Sequence, residues 1–293
     1  AVVRPIVVDW LARVLPYDIA AAIAPGWFMM VGLAGLVTLF WMMRIARNHR
    51  IDPGVVASAV LWCYIAAVAA GILMPMLIDA IQQRAETGSV HLRWAGMTSF
   101  WGYLAGTGAV IVVCRDHDVP VARFADLCVA PLGIALTLAR TGCFLAGCDY
   151  GKVSALPWAV RFPTGSPAWH DQVVAGLVPA SRAASLPVQP TQLYEAMLGL
   201  AICAVGVIGL RRVRRDGQLF LTAVVMYALG RIGIEVLRAD LGRGIYGGLS
   251  SGQIFSLLVL AALAARLVVT RVRLARLATA AAVVTALVVV GAP

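Results

Sequence analysis

One arginine stands in a part of the chain that is otherwise apolar. Arg140 lies near the end of a long hydrophobic stretch, directly before a glycine-containing segment, 141–151. An arginine at membrane depth is costly unless it pairs with an acid or faces a cavity, and such residues often mark substrate sites. Arg140 is therefore a candidate functional residue. The alternative is a structural arginine whose side chain reaches to the membrane interface.

A second charged group lies within a later apolar stretch. Arg231 and Glu235 are spaced i, i+4, and Arg238 follows Glu235 at i+3, so a helix presents Arg231 and Glu235 on one face. A carboxylate beside an arginine can orient its planar fork to bind a phosphate. A purely structural ion pair explains the same spacing, and the sequence leaves both interpretations open.

A polar cluster opens another apolar stretch, directly after Pro190. Thr191 could cap a helix that begins here, and capping alone explains one polar residue at such a place. Capping does not require Gln192 and Glu195, spaced i, i+3, together with Tyr194. We therefore predict that this cluster belongs to a functional site.

Two cysteines, Cys143 and Cys148, follow Arg140 closely. A regular helix places residues i and i+5 awkwardly for a disulfide, but the glycines of this segment permit an irregular turn. The pair could form a disulfide in an oxidising compartment, or act as reactive thiols. Half of a metal site is a further alternative, but no histidine lies close in sequence and no metal is predicted.

Membrane-spanning helices must position these residues. Of 293 residues, 61% are hydrophobic and only 13% are charged, whereas a soluble domain is nearer a quarter charged. Several apolar runs approach or exceed the roughly 20 residues that cross a bilayer core. The sequence predicts an all-α polytopic membrane protein that forms a single membrane domain, 1–293. The predicted spans are 26–43, 55–78, 97–114, 124–142, 191–210, 219–237 and 251–270, with a possible eighth at 277–292.

The distribution of charge predicts the orientation. The net charge is +10, but the arginines cluster in short loops after the first, third, fifth and seventh predicted spans. This pattern argues against nucleic-acid binding and places those loops on the cytoplasmic side, with the N-terminus outside. Residues 1–24 are predicted to be an interfacial segment. The long connection 143–190 is predicted to be an external cap, folded because it is rich in aromatic residues.

Several segments, in order along most of the chain, resemble the prolipoprotein diacylglyceryl transferase family. They are 25–32, 96–106, 140–151 (similar to the signature Arg-x-Gly-Asn-Phe followed by Glu and Gly), 189–195, and 231–238 with Gln253 beyond. The resemblance implies a bacterial inner-membrane enzyme with seven spans and a site at the outer leaflet. The implied donor is phosphatidylglycerol, the acceptor a lipoprotein cysteine thiol and the leaving group glycerol phosphate. It implies no metal or other cofactor.

The resemblance also implies roles for single residues. Arg140 and Arg231 are expected to bind the phosphate, Glu235 to orient Arg231, and Glu195 to complete the catalytic set. The expected substrate-binding residues are Gln192, Tyr194, Gly142, Gly151, Arg238, Trp101 and Gln253.

The chain departs from the family pattern at several polar positions. Trp101 stands for the third-span histidine, Cys143 and Cys148 for the signature Asn and Glu, Phe28 for the first-span tyrosine, and Gln189 for the histidine before the Pro-Ser/Thr-Gln-Leu-Tyr-Glu motif. The phosphate-binding arginines thus persist, while much of the acid/base set is absent.

The lost base has four candidate replacements: Glu195, Asp149, His170 and a thiolate at Cys148. The main prediction is diacylglyceryl transfer from phosphatidylglycerol to a lipoprotein cysteine. The alternatives are transfer to another acceptor, lipid binding or transport without catalysis, and a thiol–disulfide protein built on Cys143 and Cys148.

Overall fold

A computed structural model of the chain describes residues 13–14, 26–91, 99–240 and 244–269. In these ranges the fold consists of helices joined by loops, with one short hairpin. The helices are α1 (Trp27–Asn48), α2 (Pro53–Thr87), α3 (Ser99–Asp116), α4 (Val121–Ala146), α5 (Pro167–Val174), α6 (Thr191–Gly209), α7 (Gln218–Leu237) and α8 (Ser251–Val269). Strands β1 (Ile245–Tyr246) and β2 (Leu249–Ser250) pair antiparallel.

The prediction of an all-α polytopic membrane protein is confirmed. Among the described residues, α1, α2, α4, α6, α7 and α8 are each long and apolar enough to cross a membrane. The predicted span 97–114 corresponds to the 18-residue helix α3, but its predicted start lies outside the described residues, so the count of seven stays a prediction. The predicted eighth span, 277–292, and almost all of the interfacial segment, 1–24, also lie outside them.

The chain divides into two compact units, and the prediction of a single membrane domain stays untested. The first unit comprises 1–148 and 192–223, and the second comprises 149–191 and 224–293. In the first unit α1 packs along α4, and α2 along α3. Its apolar core includes Met42 of α1, Val56 of α2 and Phe124 of α4.

Close backbone packing joins α4 to α6. A Cβ atom on Gly199 of α6 would lie 2.7 Å from the carbonyl oxygen of Gly133 and 2.9 Å from the amide nitrogen of Thr137, both in α4. Small residues at such a crossing let two helix backbones approach, and side-chain hydroxyls then reach across the interface. The Thr137 hydroxyl accordingly donates to the carbonyl of Ala196 at 3.1 Å. This crossing fixes the register of α4 against α6.

A buried carboxylate holds the start of α7. Asp126 of α4 is 3% exposed, and its two oxygens accept hydrogen bonds from the backbone amides of Gly217 and Phe220, each at 2.7 Å. The first amides of a helix lack partners within the helix and carry partial positive charge, so a carboxylate there is stabilising. Asp126 thereby joins the beginning of α7 to α4.

The second unit contains the connection after α4. Isolated β-bridges pair Val153 and Val160 with Val188, and Pro163 with Ala184. Helix α5 lies within this connection and begins at the N-cap Ser166. The connection is thus folded in the part that belongs to this unit, 149–191. The predicted external location of 143–190 stays a prediction.

Candidate active site

Arg140 lies at the crossing of α4 and α6. Its Nη2 atom is 3.1 Å from Oε1 of Glu195, and the two side chains are 15% and 2% exposed. The backbone contact described above sets this pair, because Thr137 lies three residues before Arg140 and Ala196 directly follows Glu195. Burying either charge without a partner would be strongly destabilising. The fold therefore presents Arg140 as a largely buried guanidinium held by the carboxylate of Glu195.

The first turn of α6 also holds the segment that follows α4. The Gln192 side chain is fully buried, and its Nε2 atom donates to the carbonyl of Cys148 at 2.6 Å. A carbonyl oxygen only accepts, so this bond fixes the orientation of the amide. Tyr194, on the same turn, is half-buried. The structure thus brings three predicted residues, Arg140, Glu195 and Gln192, to one end of the α4–α6 pair.

A tight turn ends α4 and brings two cysteines together. Gly147 has φ 78°, in the left-handed region that favours glycine. The amides of Gly147 and Cys148 donate to the carbonyl of Cys143 at 2.8 and 3.1 Å. The second bond closes a Schellman turn, which places the side chains at these two positions next to each other. The sulfur atoms of Cys143 and Cys148 accordingly lie within 4.8 Å, and both residues are thiols in the structure.

The predicted Arg231–Glu235 contact is present in α7. Nη2 of Arg231 lies 2.9 Å from Oε2 of Glu235, with the side chains 13% and 2% exposed. Gly252, in the first turn of α8, packs against both residues. A Cβ atom there would lie 3.1 Å from Arg231 Nε and 3.3 Å from Glu235 Oε2. The start of α8 therefore approaches this ion pair as closely as its backbone permits.

Arg238 is held by three carboxylates. Its Nη2 atom is 2.7 Å from Asp149 and 2.7 Å from Asp240, its Nε atom is 2.8 Å from Asp240, and Glu235 lies 3.9 Å away. Burial lowers the pKa of Arg238, but the hydrogen bonds to Asp240 and the charges of Asp149, Asp240 and Glu235 outweigh it and raise the pKa. Arg238 thus links the end of α7 to the loop at Asp149.

Backbone bonds reinforce this link at Gly151. The amide of Lys152 donates to Leu237 at 2.7 Å, and the amide of Ala239 donates to Tyr150 at 3.1 Å. A Cβ atom on Gly151 would lie 2.7 Å from the carbonyl oxygen of Gln189. The absence of a side chain at Gly151 therefore lets residues 150–152 bond to residues 237–239 while lying against Gln189. The predicted contact of Gly151 with substrate stays a prediction.

Three further residues, Gln253, Trp101 and Gly142, are predicted to bind substrate. Gln253 accepts from the amide of Ser250 at 3.1 Å, and its own amide donates to the Ser250 hydroxyl at 3.2 Å. This reciprocal pair is a capping box that starts α8. Trp101 is half-buried in the first turn of α3, and Gly142 is buried in α4. Substrate contacts at these three residues stay predictions.

The candidate bases differ in their surroundings. Glu195 pairs with Arg140 and Asp149 with Arg238, as described above. His170 has a side chain that is 69% exposed and lies 3.7 Å from Asp171. Asp171 in turn accepts a hydrogen bond of 2.8 Å from Tyr150. Burial and this hydrogen bond raise the pKa of the Tyr150 hydroxyl.

Sequence reasoning missed two acids of structural importance. Asp240 binds Arg238, and its position two residues after that arginine was the only available signal. Asp126 holds the start of α7, and its signal was a single acid within the apolar span 124–142.

Helices of membrane-spanning length that carry largely buried arginine–carboxylate pairs define a polytopic membrane protein with charged pairs within its spans. A sequence model of the prolipoprotein diacylglyceryl transferase family matches residues 19–269. The chain belongs to this family, and the resemblance drawn from its motifs is confirmed.

Named relatives agree with this assignment. The phosphatidylglycerol–prolipoprotein diacylglyceryl transferase of Allorhizobium ampelinum is 31% identical, over 86% of this chain and 90% of its own length. Enzymes of the same name from Synechococcus elongatus and Clostridium tetani are 28% and 25% identical. Their matches cover 80% and 79% of this chain, and 80% and 87% of the relatives.

Proposed function

We propose that this protein transfers the diacylglyceryl group of phosphatidylglycerol to the cysteine thiol of a prolipoprotein. In this reaction the carbon–oxygen bond to the phosphate breaks and a carbon–sulfur bond forms. The thiol proton passes to a base, and glycerol phosphate leaves. Family membership, the names of the relatives and the apolar helices support this proposal.

The observation that carries the site assignment is the largely buried Arg140–Glu195 pair. Negative charge grows on the phosphate oxygen as the carbon–oxygen bond breaks, so a fixed cation nearby lowers the barrier. A guanidinium offers two parallel donors to a phosphate, and a carboxylate behind it restricts its orientation. We assign phosphate binding to Arg140 and its orientation to Glu195.

The Arg231–Glu235 pair supports the same two roles, phosphate binding by the arginine and its orientation by the carboxylate. Its ion pair of 2.9 Å is largely buried, and the approach of Gly252 limits how far the two side chains can move. We assign Arg231 to phosphate binding and Glu235 to the orientation of Arg231. Arg238 already donates to two carboxylates at 2.8 Å or less. The geometry therefore favours an anchoring role for Arg238 over the substrate contact that the family resemblance implies.

We further propose that the protein lies in the bacterial inner membrane with this site facing outward. The arginine clusters after alternate spans support this orientation through the positive-inside rule. Single cysteines introduced at Arg115 and at Lys152, each in a variant whose six native cysteines are replaced by alanine, test it in intact cells. A membrane-impermeant thiol reagent should modify the second position and not the first, and the reverse pattern would contradict the orientation.

The activity is tested with purified protein in detergent, phosphatidylglycerol and a peptide that carries the prolipoprotein cysteine. Peptide-dependent release of glycerol phosphate is the expected result. Arg140→Ala should lower the turnover number by roughly 10²- to 10³-fold, which is the cost of removing one charge-stabilising donor. Arg140→Lys should recover part of this loss, because the cation returns without its fork.

Arg115→Ala is the matched control for this assay. Arg115 is an exposed arginine in the last turn of α3, so its removal should leave turnover within about twofold of the unmodified protein, as expected for a surface substitution. Phosphatidylglycerol binding without peptide-dependent release would contradict the proposed transfer.

A further inference from the structure

The turn at the end of α4 holds two thiols close to each other. Cys143 and Cys148 occupy the two positions that a Schellman turn brings into contact, and their sulfur atoms lie within 4.8 Å. A disulfide needs the sulfurs about 2.05 Å apart. Rotation about the two Cα–Cβ bonds changes the sulfur positions without moving the backbone. The thiol hydrogen bond from Cys148 Sγ to the Cys143 carbonyl, 3.7 Å long, is one contact that such a rotation replaces.

The same two residues touch the groups that hold the candidate site. Cys143 Sγ lies 4.0 Å from Nη1 of Arg140, and the carbonyl of Cys148 accepts the hydrogen bond of Gln192. Glu195, one turn after Gln192, holds the other side of Arg140. A change at the thiol pair therefore reaches Arg140 directly through Cys143, and reaches the first turn of α6 through Cys148.

We propose that Cys143 and Cys148 form a reversible disulfide by exchange with a disulfide-bearing oxidant. Cys148 is the more accessible thiol, since Cys143 is 5% exposed and Cys148 is half-buried. The Cys148 thiolate attacks the oxidant disulfide and releases one thiol. The Cys143 thiolate then displaces the second thiol and closes the bond. The two protons and two electrons lost by the protein thiols pass to the oxidant, which leaves as two thiols.

The disulfide links the end of α4 to the residue whose carbonyl holds Gln192. It limits the motion of that turn and draws the Cys143 sulfur towards Cys148. The oxidised protein should bind phosphatidylglycerol about two- to tenfold more tightly than the reduced protein, the range expected when one or two hydrogen bonds are held in place. This consequence rests on the proposed function, whereas formation of the bond does not.

The bond is measured by peptide mapping of the full-length protein in detergent. Trypsin cleaves after Arg140 and Lys152, so both cysteines fall in the single peptide 141–152. After exposure to oxidised glutathione and alkylation, this peptide should be lighter by two hydrogen atoms and carry no alkyl group. After reduction it should carry two. Two alkyl groups after both treatments, or two glutathione adducts, would overturn the proposal.

Two variants test whether the turn at Gly147 brings the two thiols together. Gly147→Ala strains the left-handed turn and should lower the disulfide-linked fraction severalfold at the same glutathione ratio. Cys203→Ser, which changes a cysteine of α6 away from the turn, should leave that fraction unchanged. An equal fraction in Gly147→Ala would show that the turn does not bring the thiols together.

The consequence for the site is measured by phosphatidylglycerol binding in the oxidised and reduced states. The Cys143→Ser, Cys148→Ser double variant should bind equally well under both conditions. Equal binding by both states of the unmodified protein, with the disulfide formed, would overturn the effect on the site. A binding difference without any turnover would instead count against the proposed transferase and leave the disulfide proposal intact.

Discussion

Arg140 is largely buried and Arg238 is buried, and their surroundings differ. Arg140 faces one carboxylate, Glu195, across a helix crossing, and its side chain is 15% exposed. Arg238 lies at the end of α7 among three carboxylates, and its side chain is 6% exposed. A phosphate is repelled where carboxylates outnumber cations and is accepted where one acid only balances one arginine. The same residue type is thus suited to bind substrate in one place and to anchor a loop in the other.

The largest effect on stability should come from removing Arg238, which anchors the loop at Asp149. Arg238→Ala leaves the carboxylates of Asp149, Asp240 and Glu235 without their shared cation. We expect a loss of about 3 kcal/mol in the free energy of unfolding, near the low end for a broken buried pair because Asp149 is partly exposed. Denaturant unfolding in detergent measures it. An unchanged unfolding midpoint would contradict the anchoring role.

The next effect should come from the crossing that positions Arg140. Gly199→Ala places a Cβ atom against the backbone of Gly133 and Thr137, so α4 and α6 must separate. We expect about 1–3 kcal/mol of destabilisation, as for an overpacked core, together with a lower turnover number. Gly108→Ala is the matched control, since a Cβ atom there meets nothing within 4 Å. Equal turnover numbers in the two variants would show that the α4–α6 crossing does not position Arg140 for catalysis.

A smaller effect on stability should come from the hydrogen bond of Tyr150, in the loop beside Asp149. Tyr150 donates to Asp171, and the pKa of its hydroxyl is raised above the ordinary value of 10.0. A raised pKa stabilises the fold fully below pH 10, and this stability is lost as the pH rises further. Tyr150→Phe should cost about 1 kcal/mol at pH 8. The difference between the two proteins should shrink above pH 10 in unfolding experiments, and a constant difference would contradict this account.

The smallest effect should appear at the Arg231–Glu235 pair. Gly252→Ala brings a Cβ atom to 3.1 Å from Arg231 Nε, and the flexible side chain can yield by a few tenths of an ångström. We expect the KM for phosphatidylglycerol to rise by about two- to fivefold, below 1 kcal/mol. Gly233→Ala on α7, where a Cβ atom meets nothing within 4 Å, should leave KM unchanged. Identical KM values for both variants would argue against close packing at this pair.

The sequence predicted contacts that follow from helix periodicity. Arg231 and Glu235 form the contact that their i, i+4 spacing predicts, and most of the predicted spans are helices of the expected length. The pairing of Arg140 with Glu195 could not be predicted from periodicity, because these residues lie on different helices. It depends on the register that Gly133, Gly199 and Thr137 impose on α4 and α6.

Loop geometry was the other part that could not be predicted. The sequence suggests only a role as a base for Asp149, whereas in the structure Asp149 binds Arg238. Its φ of 56° directs the chain there, and no periodic pattern encodes such a conformation. The proximity of Cys143 and Cys148 similarly depends on the left-handed Gly147, which the sequence indicated only as a glycine in an irregular segment.

The most direct test compares the binding of phosphatidylglycerol and of diacylglycerol, which lacks the phosphate, to the same purified protein. Arg140→Gln alone leaves Glu195 uncompensated, so the double variant Arg140→Gln, Glu195→Gln is measured beside it, with unfolding midpoints to verify folding. We predict that both variants lose the preference for phosphatidylglycerol and still bind diacylglycerol as the unmodified protein does. A preference for phosphatidylglycerol that survives in both folded variants would contradict the assignment of the phosphate to Arg140.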